Sequence, residues 1–192
     1  DTPGYPGAGD SERPMVPGYE AAPPAGPTWE ELPAEDLRLD DLIIESRGIG
    51  APGSDERKAA TWEYYQGRGG DWDYERWSNV YEANQTRAAE ANAAAAEFHA
   101  TVGWGQREQT VRVEIDDVTE VRRLDIADRQ EQLGIEYKTG YQSASAGNLW
   151  ELTRDAELVK AGWDIEWVFR DRASQPLLDA LDRAGIRYRI GH

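Results

Sequence analysis

Three charged side chains carry the chemistry this sequence offers: Asp125, Glu136 and Lys138. Glu136 and Lys138 stand two apart in GIEYKTG, residues 134–140. On a strand that spacing projects both from one face, with Ile135, Tyr137 and Thr139 on the other. Asp125 lies near the end of the preceding stretch, RRLDI, residues 122–126. If the two stretches pair, two carboxylates and an ammonium meet beside a sheet. Charges placed there cost free energy unless something compensates them. A divalent cation held by Asp125 and Glu136 is that compensation. It would polarise a scissile phosphate and lower the pKa of a bound water, while Lys138 orients the water or stabilises the developing charge. The chain has no Cys and only two His, His99 and His192. A thiolate or His-rich site is thereby excluded, and the expected ion is a hard one, Mg²⁺ or Mn²⁺.

The elements that must position these groups follow from periodicity. Residues 109–116 alternate through Val111, Val113 and Ile115, and 118–126 alternate again, with Asp116-Asp117 as the turn of a hairpin. Residues 134–140 make a third strand. Residues 144–161 read as an amphipathic helix whose apolar face is Leu149, Leu152, Ala156 and Val159, leaving Asn148, Arg154 and Asp155 on its exposed face. A strand at 163–169, with Trp163, Trp167 and Phe169 as core, a helix opened by Pro176 and a last strand at 186–190 follow. Before them runs a long Ala-rich helix over residues 71–101, suited to packing on a sheet. The fold class implied is α/β, or α+β, with a mixed sheet flanked by helices.

Residues 1–28 are Pro-, Gly- and Ala-rich and read as a linker, or as an arm anchored by Tyr5, Met15 and Tyr19. Residues 29–70 hold two short helices, and 71–192 form the main domain. The start, Asp1-Thr2-Pro3-Gly4, lacks an initiator Met and a signal pattern, which suggests a piece of a longer or processed chain. No apolar run approaches the roughly 20 residues needed to span a bilayer. The net charge of −16 argues against nucleic acid, but it is unevenly spread. Residues 122–192 carry 11 Lys and Arg against 12 Asp and Glu, and the residues before them carry 10 against 25. The rear, where the three charged groups lie, is therefore balanced and Arg-rich.

RRLDI and IEYKTG, together with NLWELTRD at 148–155 and GWDIEWVF at 162–169, resemble the PD-(D/E)-x-K restriction-endonuclease-like nuclease superfamily. They are most similar to the toxin domains at the C-termini of bacterial polymorphic secreted proteins. The resemblance covers roughly residues 105–192 with the helix before them. It implies a core of helix, three-strand meander, helix and strand. Asp125 corresponds to the metal-binding Asp, Glu136 to the second carboxylate and Lys138 to the catalytic Lys. A further acid from the first helix or the segment after it would be Glu90, Glu97 or Glu108, of which Glu108 would be the third metal ligand. The Pro that often precedes the Asp is missing. The implied activity is metal-dependent cleavage of nucleic acid, DNA before RNA, by an effector delivered into another cell. The implied partner is a cognate immunity protein in the producer.

Other residues carry weaker signals. Arg123, Gln142, Ser143 and Arg154 are candidate substrate contacts; Gln142, Ser143 and Ser145 sit where a helix N-terminus could take a phosphate or simply be capped. Arg154 could equally join a surface ion pair with Glu151 and Asp155. Trp72 and Trp77 stack bases or pack, and His99 caps a helix end. Two rival functions stay open. A non-catalytic interaction module, an immunity or adaptor protein, suits the acidic front. A DNA-repair or restriction nuclease working in its own cell suits the three charged residues. The acidic front could also block the cleft, in which case removing residues 1–70 raises activity.

Overall fold

The computed structural model describes residues 31–191, with side chains from residue 37 onward. The expected linker or arm, residues 1–28, lies outside the described residues. Three helices lead: α1 (Glu31–Ser46), α2 (Asp55–Gly67) and α3 (Tyr74–Val102). Then come β1 (Gln106–Ile115), β2 (Val118–Asp128), β3 (Leu133–Lys138), β4 (Tyr141–Gln142), α4 (Ala146–Lys160), β5 (Asp164–Phe169), β6 (Arg172–Ala173), α5 (Gln175–Ala184) and β7 (Arg187–Ile190). The class is mixed α/β: a five-stranded sheet in the order β1-β2-β3-β5-β7 and a two-stranded sheet of β4 and β6. β1, β2 and β3 pair antiparallel; β3, β5 and β7 pair parallel.

Local chemistry explains the boundaries. The hairpin turn is Asp116-Asp117 as expected, with φ of 49° and 62° at the two residues. Two successive positive φ values match the right-handed twist of the flanking strands, and Asp tolerates them. Asp73, Ser145 and Ser174 cap α3, α4 and α5 by accepting from a backbone N–H three residues on. Among the described residues no helix is long and apolar enough to cross a membrane.

The sheet is covered on both faces. Val111, Val113, Leu124, Ile165, Trp167 and Phe169 pack against Leu152 and Leu158 of α4 and the three leucines of α5. Ile126, Ile135, Tyr137 and Val168 pack on the other face against Ala95 and Phe98 of α3, with Phe98 stacked on Tyr137 at 4.5 Å. Only the C-terminal part of α3 therefore lies on the sheet. Its first part joins a separate cluster of Leu37, Tyr65, Trp77 and Tyr81 with α1 and α2. There Trp77 is fully buried, so of its two expected roles it packs.

One expectation is corrected. The buried face of α4 is Gly147, Asn148, Glu151, Leu152, Arg154, Asp155 and Leu158. Leu149, read as core, is 39% exposed, while Asp155, read as surface, is 0% exposed. The helix is turned because its charged side chains have partners on α1 and β2, which no local apolar pattern reveals. The first helix, α1, lies beside the candidate site. It packs on α4 and β2, and Arg38 hydrogen-bonds Asn148 and Glu151 of α4.

Candidate active site

The site lies where β2 and β3 part. Their ladder pairs Ile126 with Ile135, Ala127 with Gly134 and Asp128 with Leu133, and stops there. On the other side of β2, the pairing with β1 runs on both sides of Asp125 but omits Glu108 opposite it, where φ is 53°. Alternation slips at this point: Leu124 faces α4, and Ile126 faces α3. A backbone distortion of this kind re-aims a side chain. The Asp125 carboxylate takes the place of the missing rung, its Oδ2 accepting the Tyr137 N–H at 2.8 Å.

Asp125, Glu136 and Lys138 do come together, and they come with company. Lys138 Nζ stands 2.9 Å from Glu136 Oε1, donates to Glu151 Oε2, and lies 4.8 Å from the Trp167 ring. Glu151 also takes Arg38 at 3.2 Å. Arg122 grips Asp155 through two bonds, at 2.8 and 3.1 Å, and lies 2.9 Å from Glu136 Oε2. Asp155 accepts a third bond from the Trp167 indole at 2.8 Å. Glu136, Lys138 and Glu151 are 5%, 6% and 4% exposed, and Asp125 is half-buried.

The charges do not balance. Among the described residues, Asp125, Glu136, Glu151 and Asp155 face Arg38, Arg122 and Lys138: four carboxylates against three cations. Burial, and then the neighbouring Glu136, push the Asp125 carboxyl up to about 7; the Tyr137 N–H, Lys138 and Arg122 only partly offset them. At Glu151 burial also opposes ionisation, but Lys138, Arg38 and Arg122 outweigh it and hold the carboxyl well below the usual carboxylate range. Lys138 is held above its ordinary value, because Glu136 and Glu151 more than offset its burial. Burial also raises the Asp155 carboxyl above its ordinary value, with Glu136 adding to it and Arg122 opposing, so the uncompensated negative charge falls on Asp125 and Asp155 together. Beside Asp125, Glu136 Oε2 is buried and receives no hydrogen bond, since Arg122 lies close but off the bonding line. Two oxygen donors, one ion-paired but without a hydrogen bond and one short of a counter-charge, are of the type a hard divalent cation takes.

Glu90, Glu97 and Glu108 are exposed. Among the described residues no group of three or more His, Asp or Glu is arranged to hold a metal, so none of them joins Asp125 and Glu136 as a third ligand here. Arg123 pairs with Glu45 of α1 at 3.3 Å. Gln142 and the Ser143 carbonyl are tied to the Asn148 amide at 3.0 and 2.8 Å, at the start of α4. Arg154 is not in a surface pair with Glu151 and Asp155. It stacks on Trp150, bonds Glu120 at 2.6 and 2.9 Å, and is 8% exposed. His99 Nε2 donates to the Gly105 carbonyl at 3.0 Å, past the end of α3.

Sequence reasoning missed Arg38, Glu151 and Asp155 as members of the site. The signal for α4 was present: Asn148, Glu151 and Asp155 are spaced three and four apart, which is one helix face. Arg38 had no comparable signal.

No protein-family model matches the chain, and no curated protein matches it. The crystal structure of a protein of unknown function is similar over 53% of this chain and 56% of its own, at 14% identity and a TM-score of 0.38. The match thus spans about half of each chain, and a likeness that weak carries no argument about fold or function.

Proposed function

We propose that this chain is a metal-dependent phosphodiesterase, a nuclease acting on DNA in preference to RNA, built on a restriction-endonuclease-like core. The observation that carries the proposal is the gathering of Asp125, Glu136 and Lys138 where β2 and β3 part, with negative charge in excess among the described residues and one carboxylate oxygen without a hydrogen bond. Order along the chain supports it: α3, the β1–β2–β3 meander, α4 and β5 follow the succession that the resemblance implies. Asp125 and Glu136 would hold Mg²⁺ or Mn²⁺. When bound, the ion supplies Lewis-acid polarisation of the phosphate and acidifies water. Lys138, fixed between two carboxylates, presents a permanent positive charge to the phosphorane oxygens. Arg122 orients Glu136 and Asp155 and keeps the wall behind them in place. Delivery into another cell as a toxin, and capture by an immunity protein, rest on the resemblance alone.

The test is cleavage of plasmid DNA and of total RNA with Mg²⁺ or Mn²⁺ and with EDTA, by wild type, Glu136→Ala and Lys138→Ala. Metal-dependent cleavage lost in both variants is expected. A folded protein that cuts neither polymer favours the second reading, a non-catalytic interaction module. What speaks for that module is the low exposure of Glu136 and Lys138, whose charges are already engaged by Arg122 and Glu151.

A further inference from the structure

We propose that Glu151 is a positioning residue for Lys138: it takes the ammonium's hydrogen bond and shares its charge with Glu136, so that the Glu136 carboxylate is not fully neutralised and can take a cation. The inference deepens the hydrolase proposed above and rests on it for the ligands Asp125 and Glu136.

Lys138 Nζ is shared between two buried carboxylates. It donates to Glu151 Oε2 and stands 2.9 Å from Glu136 Oε1. Trp167 bounds its other side at 4.8 Å. With Glu151 neutral, Glu136 becomes the carboxylate left to the ammonium in that pocket. A lysine closed onto Glu136 would neutralise it and compete with a metal for its oxygens. Glu151 is well built to prevent this. Its backbone follows one turn after Asn148, whose amide is tied to Gln142 and to the Ser143 carbonyl. Its carboxylate is held from the far side by Arg38 at 3.2 Å, and Arg38 in turn reaches Asn148 at 3.4 Å. Glu151 thus stands between a cation it restrains and a cation that restrains it. Glu151 and Lys138 are 4% and 6% exposed, so solvent does little to weaken the contact between them.

The test is a double-mutant cycle on Mn²⁺ binding by the full chain, read by calorimetry: wild type, Glu151→Gln, Lys138→Met and the double variant. Glu151→Gln is expected to weaken Mn²⁺ about tenfold or more when Lys138 is present. With Met at 138 the same change is expected to cost less than about twofold. Equal losses in both backgrounds would mean that Glu151 acts on the ion by charge alone, and would overturn the proposal; no loss in either would also overturn it. Glu151→Asp keeps the charge one methylene further back. It should bind with intermediate affinity, and it serves if the glutamine variant does not fold. Arg38→Gln should weaken Mn²⁺ in the same Lys138-dependent way, and independence from Lys138 there would count against the clamp. A wild type that binds Mn²⁺ and shows the coupling but cuts no polymer would sink the nuclease and leave Glu151 in its role. A cleaving wild type with additive losses would sink the role of Glu151 alone. A wild type that binds no Mn²⁺ would overturn both.

Discussion

Replacing Asp125 by Asn should stabilise the metal-free protein, and only at the alkaline end of the range. The Asp125 carboxyl is raised from 3.8 to about 7 by burial and by Glu136. A raised folded-state pKa means that the native protein holds the proton more tightly than the unfolded chain does. Stability is then greatest in acid, falls as pH rises from about 4 to about 7, and levels off above. The full shift corresponds to about 4 kcal/mol against the ionised form. Solvent reaching this half-buried carboxyl reduces the expectation to about 2 kcal/mol. Asn keeps an oxygen for the Tyr137 N–H and never ionises. In EDTA, thermal unfolding of wild type and Asp125→Asn should lie closer together near pH 4.5 and separate by about 4–8 °C near pH 8, at about 2–4 °C per kcal/mol for a domain of this size. Mn²⁺ should then raise the wild type at pH 8 and leave the variant where it was. A gap that does not change between pH 4.5 and 8, or an equal metal response in both proteins, would refute the charge imbalance on which the reasoning rests.

Lys138→Met should lower stability by about 3–5 kcal/mol in urea denaturation, because it leaves Glu136 and Glu151 buried with one cation fewer. Gly134→Ala should cost about 1–3 kcal/mol by the same assay; its Cβ would meet Ile165 Cδ1 and Leu124 Cδ1 at 2.8 Å each. Deleting residues 1–70 removes Leu37, Ile44 and Arg38, so it should lower the melting temperature and Mn²⁺ affinity rather than release activity; an active, equally stable fragment would contradict this. Arg154→Gln should cost about 1–2 kcal/mol and leave Mn²⁺ binding unchanged, since its partner is Glu120 and its stack is Trp150.

The sheet was legible where burial follows a local pattern. Val111 and Val113 alternate with polar residues, and the Asp116-Asp117 turn needs only its own backbone chemistry. Asp125, Glu136 and Lys138 were legible because a strand places every second residue on one face. α4 was misread because apolar periodicity assigns charges to solvent. Its charges are buried because Arg122 and Arg38, 33 and 113 residues away from Asp155 and Glu151, arrive to meet them. Arg38 was invisible for the same reason: nothing in LRLDDLIIES distinguishes a solvated arginine from one that reaches a carboxylate across the fold. The short strands β4 and β6 escaped notice because two-residue pairings leave no period to read.

The long α3 fixes more than distance. Its 29 residues extend about 44 Å at 1.5 Å each. One end is packed into the Trp77 cluster and the other under the sheet, while residues 86–90, 92 and 93 between them are exposed. The two packed ends are thereby coupled in phase, like cams on one shaft. A conservative substitution in the exposed stretch should pass almost unnoticed. One inserted residue there would turn Trp77 and Tyr81 by about 100° relative to Ala95 and Phe98, and the same helix could no longer seat both ends at once. For this segment, length is under stronger constraint than composition.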